Sequence, residues 1–349
     1  MLKPLVYKYH QISKFQSFIN YLFLEVIFNN DILENNDSYS NDLLIDKYKN
    51  ILENISKEHL YYSLVEIFNI CKSISRNNRK LLRKAVHLNN KIELLCIGEE
   101  FPITYREIYK IDSNLSIELK KIFGRLYKYV INLQPVYSKY GMKNEFYKLI
   151  VETETVCHCC GVGTMVNIYQ KPVGALDHYF PINHYPFSSI NFKNLIPICD
   201  ICNSKYKTQK DTLFLFRTKT KLGVKRTSIR KYKAFFPYSN EYDLIDVSVK
   251  INNDDLINIS NNDISIKYLL ENKDEEILNW ERLFKVSETH KANLLSNESR
   301  EYINQQFDII NALGLDFDTY YNLINNNIFY NKNFIRLPYL KEINRITNS

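Results

Sequence analysis

The stretch "LDHYFPINHYPFSSINFKNLIPICDICN", residues 176–203, decides how this chain reads. It closes on a C-x-x-C step, Cys199 and Cys202. A second such step, Cys157 and Cys160, is separated from it by 38 residues. Two corners of this kind present four thiolates at the vertices of one tetrahedron, the arrangement that structural zinc requires. Four unrelated buried cysteines would not repeat the two-residue gap. The interval is longer than in a minimal zinc ribbon, so something is inserted between the corners. Cys159 is a spare thiol, and His158 reads as a surface residue rather than a ligand.

The insertion carries the chemistry. Asp177-His178 at the end of an apolar strand puts a metal ligand and a general base at adjacent positions. Asn203 follows the second corner, where a helix can start, so zinc would brace that helix against the Asp177 strand. A lone Asp-His pair is more often structural. Set between two zinc corners, with Asn194 and Asn203 at these offsets, it reads as a site. His184 reads as loop packing or a phosphate contact, and Lys205 and Lys207 as phosphate contacts just past Asn203. His10, His59, His87 and His290 have no partner pattern and read as ordinary residues. Cys71 and Cys96 fall on apolar runs and read as core.

Working outward, charge is concentrated rather than spread. Residues 203–233 hold eleven Lys or Arg against one acid, Asp211, whereas the whole chain of 349 residues carries only +7. A solvated face would mix signs. Lys205, Lys207, Lys219, Lys221, Lys225, Arg226 and Arg230 therefore read as a groove for a phosphate backbone. No base-reading helix accompanies them, so little sequence readout is expected.

Residues 1–145 show apolar side chains at helical spacing, for example Ile12, Phe15, Phe18, Ile19, Leu22 and Val26, then Leu115, Leu119, Ile122, Phe123 and Leu126. Residues 29–41 are polar and read as a loop, and residues 76–84 as a basic helix able to touch phosphate. In residues 241–349, Ile245, Val247, Val249 and Ile251 alternate with polar residues as in a half-exposed strand, and helical spacing returns from Asp263. Hydrophobic residues make up 45% of the chain, which excludes a disordered or collagenous class. No apolar run approaches a membrane span, and the start has no secretory signal. The expected location is cytoplasmic, with reduced cysteines and no membrane partner.

Cys157–Cys160, Asp177-His178, Asn194, Cys199–Cys202 and Asn203 resemble, in order and approximate spacing, the HNH or ββα-metal nucleases. The extended stretch is similar to the subgroup found in bacterial antiphage defence, of the Septu-like HNH kind. Phe236-Pro237-Tyr238 with Asp243, and more weakly Asn279-Trp280 and Leu283-Phe284, fit the same pattern. The resemblance implies an α+β, mostly helical chain. It has a central zinc-braced HNH domain at 146–240, a helical domain at 1–145 and a mainly helical region at 241–349. It implies DNA as substrate, His178 as general base, and Asp177 and Asn203 as ligands of a catalytic divalent cation, magnesium or alternatively manganese. Asn194 would brace the loop. Asn at the last position, where many members have His, favours magnesium. A ribonuclease on the same fold, or an inactive zinc-braced nucleic-acid-binding module, are the alternatives. Defence members often act beside an ATPase, and no Walker-type run occurs here, so an ATPase would be a separate subunit.

Overall fold

The computed structural model describes residues 1–348 apart from 153–155, 222–223, 240–243 and 327; of residues 217–228 it describes no side chains. The chain is mostly helical, with three two-stranded antiparallel sheets. Phe15, Phe18 and Ile19 share the buried face of helix Ser13–Tyr21. That helix runs on as Leu22–Ile27 with wider winding: the Phe28 N–H reaches back five residues to the Phe23 carbonyl at 2.9 Å. Helix Ser113–Lys128 starts at Asp112, whose carboxylate accepts from the Leu115 N–H at 2.8 Å. It buries Leu115, Leu119, Ile122, Phe123 and Leu126. The Phe123 ring packs in a triangle with Phe23 and Phe187, at centroid distances of 5.0 and 5.2 Å. Phe187 belongs to the 179–194 loop, so the N-terminal helices set the position of that loop.

Strand β1 (Leu176–His178) pairs antiparallel with β2 (Leu195–Pro197), with Asp177 opposite Ile196 and His178 opposite Leu195. A helical segment, Ile201–Lys207, follows directly. β3 (Phe214–Lys221) and β4 (Val224–Lys231) form a hairpin with Lys219 opposite Arg226. β5 (Asp246–Ile251) buries Val247, Val249 and Ile251 against the C-terminal helix Asn333–Thr347 and pairs with β6 (Ile264–Leu269). Buried apolar residues from all three sequence regions belong to one contiguous cluster. Among the described residues, no helix is long and apolar enough to cross a membrane.

Two local expectations are corrected. Residues 29–41 are not all loop: Asn30–Asn35 is helical, because the Asn29 side chain accepts from the Asp31 N–H at 2.9 Å and caps it. The segment from Asp263 is first a strand, since Ile264, Ile266 and Tyr268 alternate and find a partner in β5. On the basic helix, Arg76–Asn89, Arg76 and Arg79 pair with Glu34 and Arg83 with Glu25, while Lys80 and Lys84 are exposed.

Candidate functional site

Cys157, Cys160, Cys199 and Cys202 are buried, reduced, and positioned to bind one metal ion, with all four Sγ atoms within 4.8 Å of one another. The Cys160 and Cys199 sulfurs are 4.0 Å apart, close to the roughly 3.8 Å edge of a tetrahedron with ~2.3 Å metal–sulfur bonds. The turns are shaped for this. A Cβ at Gly163 would lie 2.5 Å from Cys199 Sγ, so only glycine fits there. The Gly163 N–H donates to Cys160 Sγ at 3.3 Å and the Cys199 N–H to Cys157 Sγ at 3.5 Å. Burial opposes a thiolate at Cys157, but donation from the Cys159, Cys160 and Cys202 thiols holds its pKa well below the ordinary value. Hydrogen bonds to Cys157, Cys160 and Cys199 hold the proton on Cys202.

Cys159 stands outside this group, and its carbonyl accepts the Trp280 indole N–H at 2.7 Å. His158 is not at the surface but 1% exposed. The N-terminal residues cover it: the Leu2 N–H donates to its carbonyl at 3.0 Å, and its Nδ1 lies 3.2 Å from the Pro4 oxygen. His290, expected to be ordinary, braces the first cysteine corner. Its Nε2 lies 2.7 Å from the Cys160 carbonyl oxygen and its Nδ1 2.8 Å from the Tyr268 hydroxyl. No sequence signal could have found a contact across 130 residues.

At the end of β1, His178 is buried, with Nε2 2.7 Å from the Ser189 carbonyl oxygen. A carbonyl only accepts, so Nε2 carries the proton and Nδ1 keeps its lone pair. Among the described residues nothing hydrogen-bonds Nδ1. Burial lowers the ring's pKa to about 4 against the opposing Ser189 hydrogen bond, so the imidazole is neutral at neutral pH. Tyr127 packs edge-on against it at 4.2 Å and donates to the Leu176 carbonyl at 3.1 Å. Lys143 lies over the Tyr127 ring at 4.4 Å. Neither residue carried a sequence signal.

Asn194 is fully buried. Its Nδ2 donates to the Phe180 and Ser188 carbonyls, both at 3.1 Å, and its Oδ1 accepts the Phe180 N–H at 2.7 Å. The amide therefore closes the loop that presents the Ser189 carbonyl to His178. Tyr238, of the aromatic-Pro-Tyr step, donates its hydroxyl to the Leu195 carbonyl and clamps β2. Asp243 lies outside the described residues.

The Asp177 side chain is 10% exposed and has the Lys207 ammonium 2.7 Å from its Oδ2. Charge and close approach hold the pair. Burial raises the Asp177 pKa, and the Lys207 charge pulls against that rise. Lys207 is thus no surface phosphate contact: it has 0% exposure, because a buried carboxylate needs a counter-charge. Asn203 lies four residues before Lys207 on the same helical segment and hence on the same face. Its side chain is partly exposed and makes no hydrogen bond among the described residues. A carboxylate oxygen and an amide oxygen suit a hard divalent cation, although here the Lys207 ammonium already lies against the carboxylate.

Lys205 is exposed, as is Arg230, whose guanidinium sits over the Tyr232 ring at 4.8 Å. Lys219, Lys221, Lys225 and Arg226 fall on the β3–β4 hairpin, and their side chains lie outside the described residues. His184 is partly exposed, and its carbonyl accepts the Tyr105 N–H at 3.0 Å. No protein-family model, curated protein or solved structure matches the chain.

Proposed function

We propose that this chain is a metal-dependent endonuclease of the HNH kind that hydrolyses phosphodiester bonds of DNA, in the cytoplasm and in antiphage defence. The observation that carries the reading is the His178 ring: its Nε2 is committed to Ser189, which leaves Nδ1 as the base. There Nδ1 takes the proton of the attacking water. The order strand, strand, helix supports the reading, because it brings Asp177 on β1 together with the segment that carries Asn203. Asp177 and Asn203 would hold the divalent cation, magnesium or manganese, which when bound supplies positive charge for the phosphorane and the leaving oxygen. Asn194 holds the loop behind the base and touches no reacting atom. The four cysteines hold zinc, which suits thiolates, and zinc keeps the Asn203 segment against β1. The basic hairpin supplies the phosphate-binding face, and an ATPase, where one takes part, is a separate subunit.

A second reading is an inactive nucleic-acid-binding module, favoured by the lysine seated against Asp177. Plasmid cleavage by the purified chain with magnesium, manganese or EDTA separates the two, with an RNA substrate alongside to test a ribonuclease. His178→Ala should cut about 10²–10⁴-fold more slowly while its DNA affinity stays near normal. Full cleavage by that variant, with contamination excluded, overturns the assignment.

A further inference from the structure

Lys207 is an unusual charge for a molecule of this composition. Its side chain has 0% exposure, and its two polar contacts among the described residues are at the end of β1. The ammonium lies 2.7 Å from Asp177 Oδ2 and donates to the His178 carbonyl at 2.6 Å. It therefore occupies a carboxylate oxygen that a metal ion bound at Asp177 would compete for. Lys207 ends its helical segment. Thr208 follows with φ 48° and ψ −115°, and its N–H reaches back five residues to the Asn203 carbonyl at 2.9 Å. Wide winding and a positive φ at a helix end recur at functional sites. Here they sit on the element that joins Asn203 to Lys207.

We propose that Lys207 is a tethered cation on Asp177 that a divalent ion displaces, so that loading the site requires the lysine to withdraw. The proposal rests on reading Asp177 and Asn203 as cation ligands. The physical reason is exclusion between like charges. A magnesium-sized ion must approach a carboxylate oxygen to about 2.1 Å, and it cannot do so while an ammonium holds the same oxygen in a poorly screened pocket. The lysine balances the buried carboxylate until then, and it sets the concentration at which the ion enters. Lys207 is a positioning residue in this scheme, since it acts on Asp177 and not on the phosphate.

Manganese titration of the full-length, zinc-loaded chain tests this, with free ion followed by electron paramagnetic resonance. Lys207→Met keeps the length of the side chain and removes its charge, and it should bind manganese at least about 10-fold more tightly than wild type. Asp177→Asn should abolish that site. In case Lys207→Met does not fold, the wild-type protein gives a second readout, acetylation footprinting by mass spectrometry. Lys207 should be protected without manganese and modified with it, while Lys205 is modified in both. Unchanged or weaker affinity in a folded Lys207→Met protein, or a Lys207 still protected at saturating manganese, overturns the proposal. Binding that ignores Asp177→Asn overturns the ligand reading as well. Exchange observed without plasmid cleavage supports the displaced lysine and counts against the nuclease.

Discussion

His178 and His290 are buried imidazoles that each give a ring N–H to a backbone carbonyl, Ser189 in one case and Cys160 in the other. Burial pulls both from the ordinary 6.5 to about 4. Each ring is neutral in the folded chain and takes up a proton on unfolding between those two values. The unfolded state binds more protons in that window, so the stabilisation is complete above about pH 6.5 and is lost as pH falls through about 4. Each ring contributes about 1.4 kcal/mol per pH unit there. His290 is the cleaner probe because it faces Tyr268, Trp280 and Phe334, and among the described residues only burial and the Cys160 carbonyl act on its pKa. His290→Gln should melt lower than wild type at pH 7.5 but lose less on going to pH 5, as read by thermal unfolding at both values. An equal loss in the two proteins would remove His290 from the acid response. At this scale the local pattern was legible: Asp177, His178, Asn194 and Asn203 lie within 27 residues of one another and can be picked out together. Lys207 was legible as a charge but not as a buried one. Its burial depends on the distance between β1 and the following helix, which no spacing along the chain encodes. Ser189 and Tyr127 act through a carbonyl and a ring face, and neither leaves a mark in composition.

Among the elements, helix Asp274–Phe284 does most to join the C-terminal region to the cysteine corners. Trp280 donates to the Cys159 carbonyl at 2.7 Å, and Asn279 donates to the Thr212 and Lys233 carbonyls at 2.9 and 2.8 Å. Arg282 donates to the Asp211 carbonyl at 2.6 Å. These carbonyls flank the β3–β4 hairpin as well as the first corner, so one helix registers both. Trp280→Phe keeps much of the ring and leaves the Cys159 carbonyl unpaired, which should cost about 1–3 kcal/mol. A chelator should strip the cysteine-bound metal faster from this variant, followed by a colorimetric zinc indicator. Unchanged release with a lowered melting point would mean that the helix stabilises the chain without guarding the metal. Period-two alternation revealed β5, where Val247, Val249 and Ile251 are buried and the residues between them exposed. The same rule missed β6, because burial there is clear only at Ile264 and fades along the strand. A strand whose buried face fades along its length needs its partner before it can be seen.

For the whole molecule the decisive quantity is how charge is divided. Residues 203–233 carry +10 and the complete chain +7, which leaves the remaining residues at −3. The sequence therefore concentrates positive charge in one stretch of an otherwise nearly neutral chain, the distribution that the proposed phosphate-binding role calls for. The β3–β4 register sharpens the point, since Lys219 stands opposite Arg226 across the ladder. Like charges at opposed positions of a ladder are in general destabilising by up to about 1 kcal/mol. A phosphate backbone laid along it would turn that repulsion into attraction. Changing Lys219, Lys221, Lys225, Arg226 and Arg230 to Glu should weaken DNA binding and flatten its dependence on salt. Each phosphate that the protein no longer neutralises lowers the slope of log affinity against log salt by about 0.9, so the full set should lower it by about 4 to 5. Fluorescence anisotropy with a labelled duplex between about 50 and 200 mM salt measures this. Zinc content by elemental analysis should not change, because the cysteine corners lie outside the hairpin. Wild-type affinity and slope in the reversed protein would mean that DNA is held elsewhere and that the hairpin's charge faces only solvent.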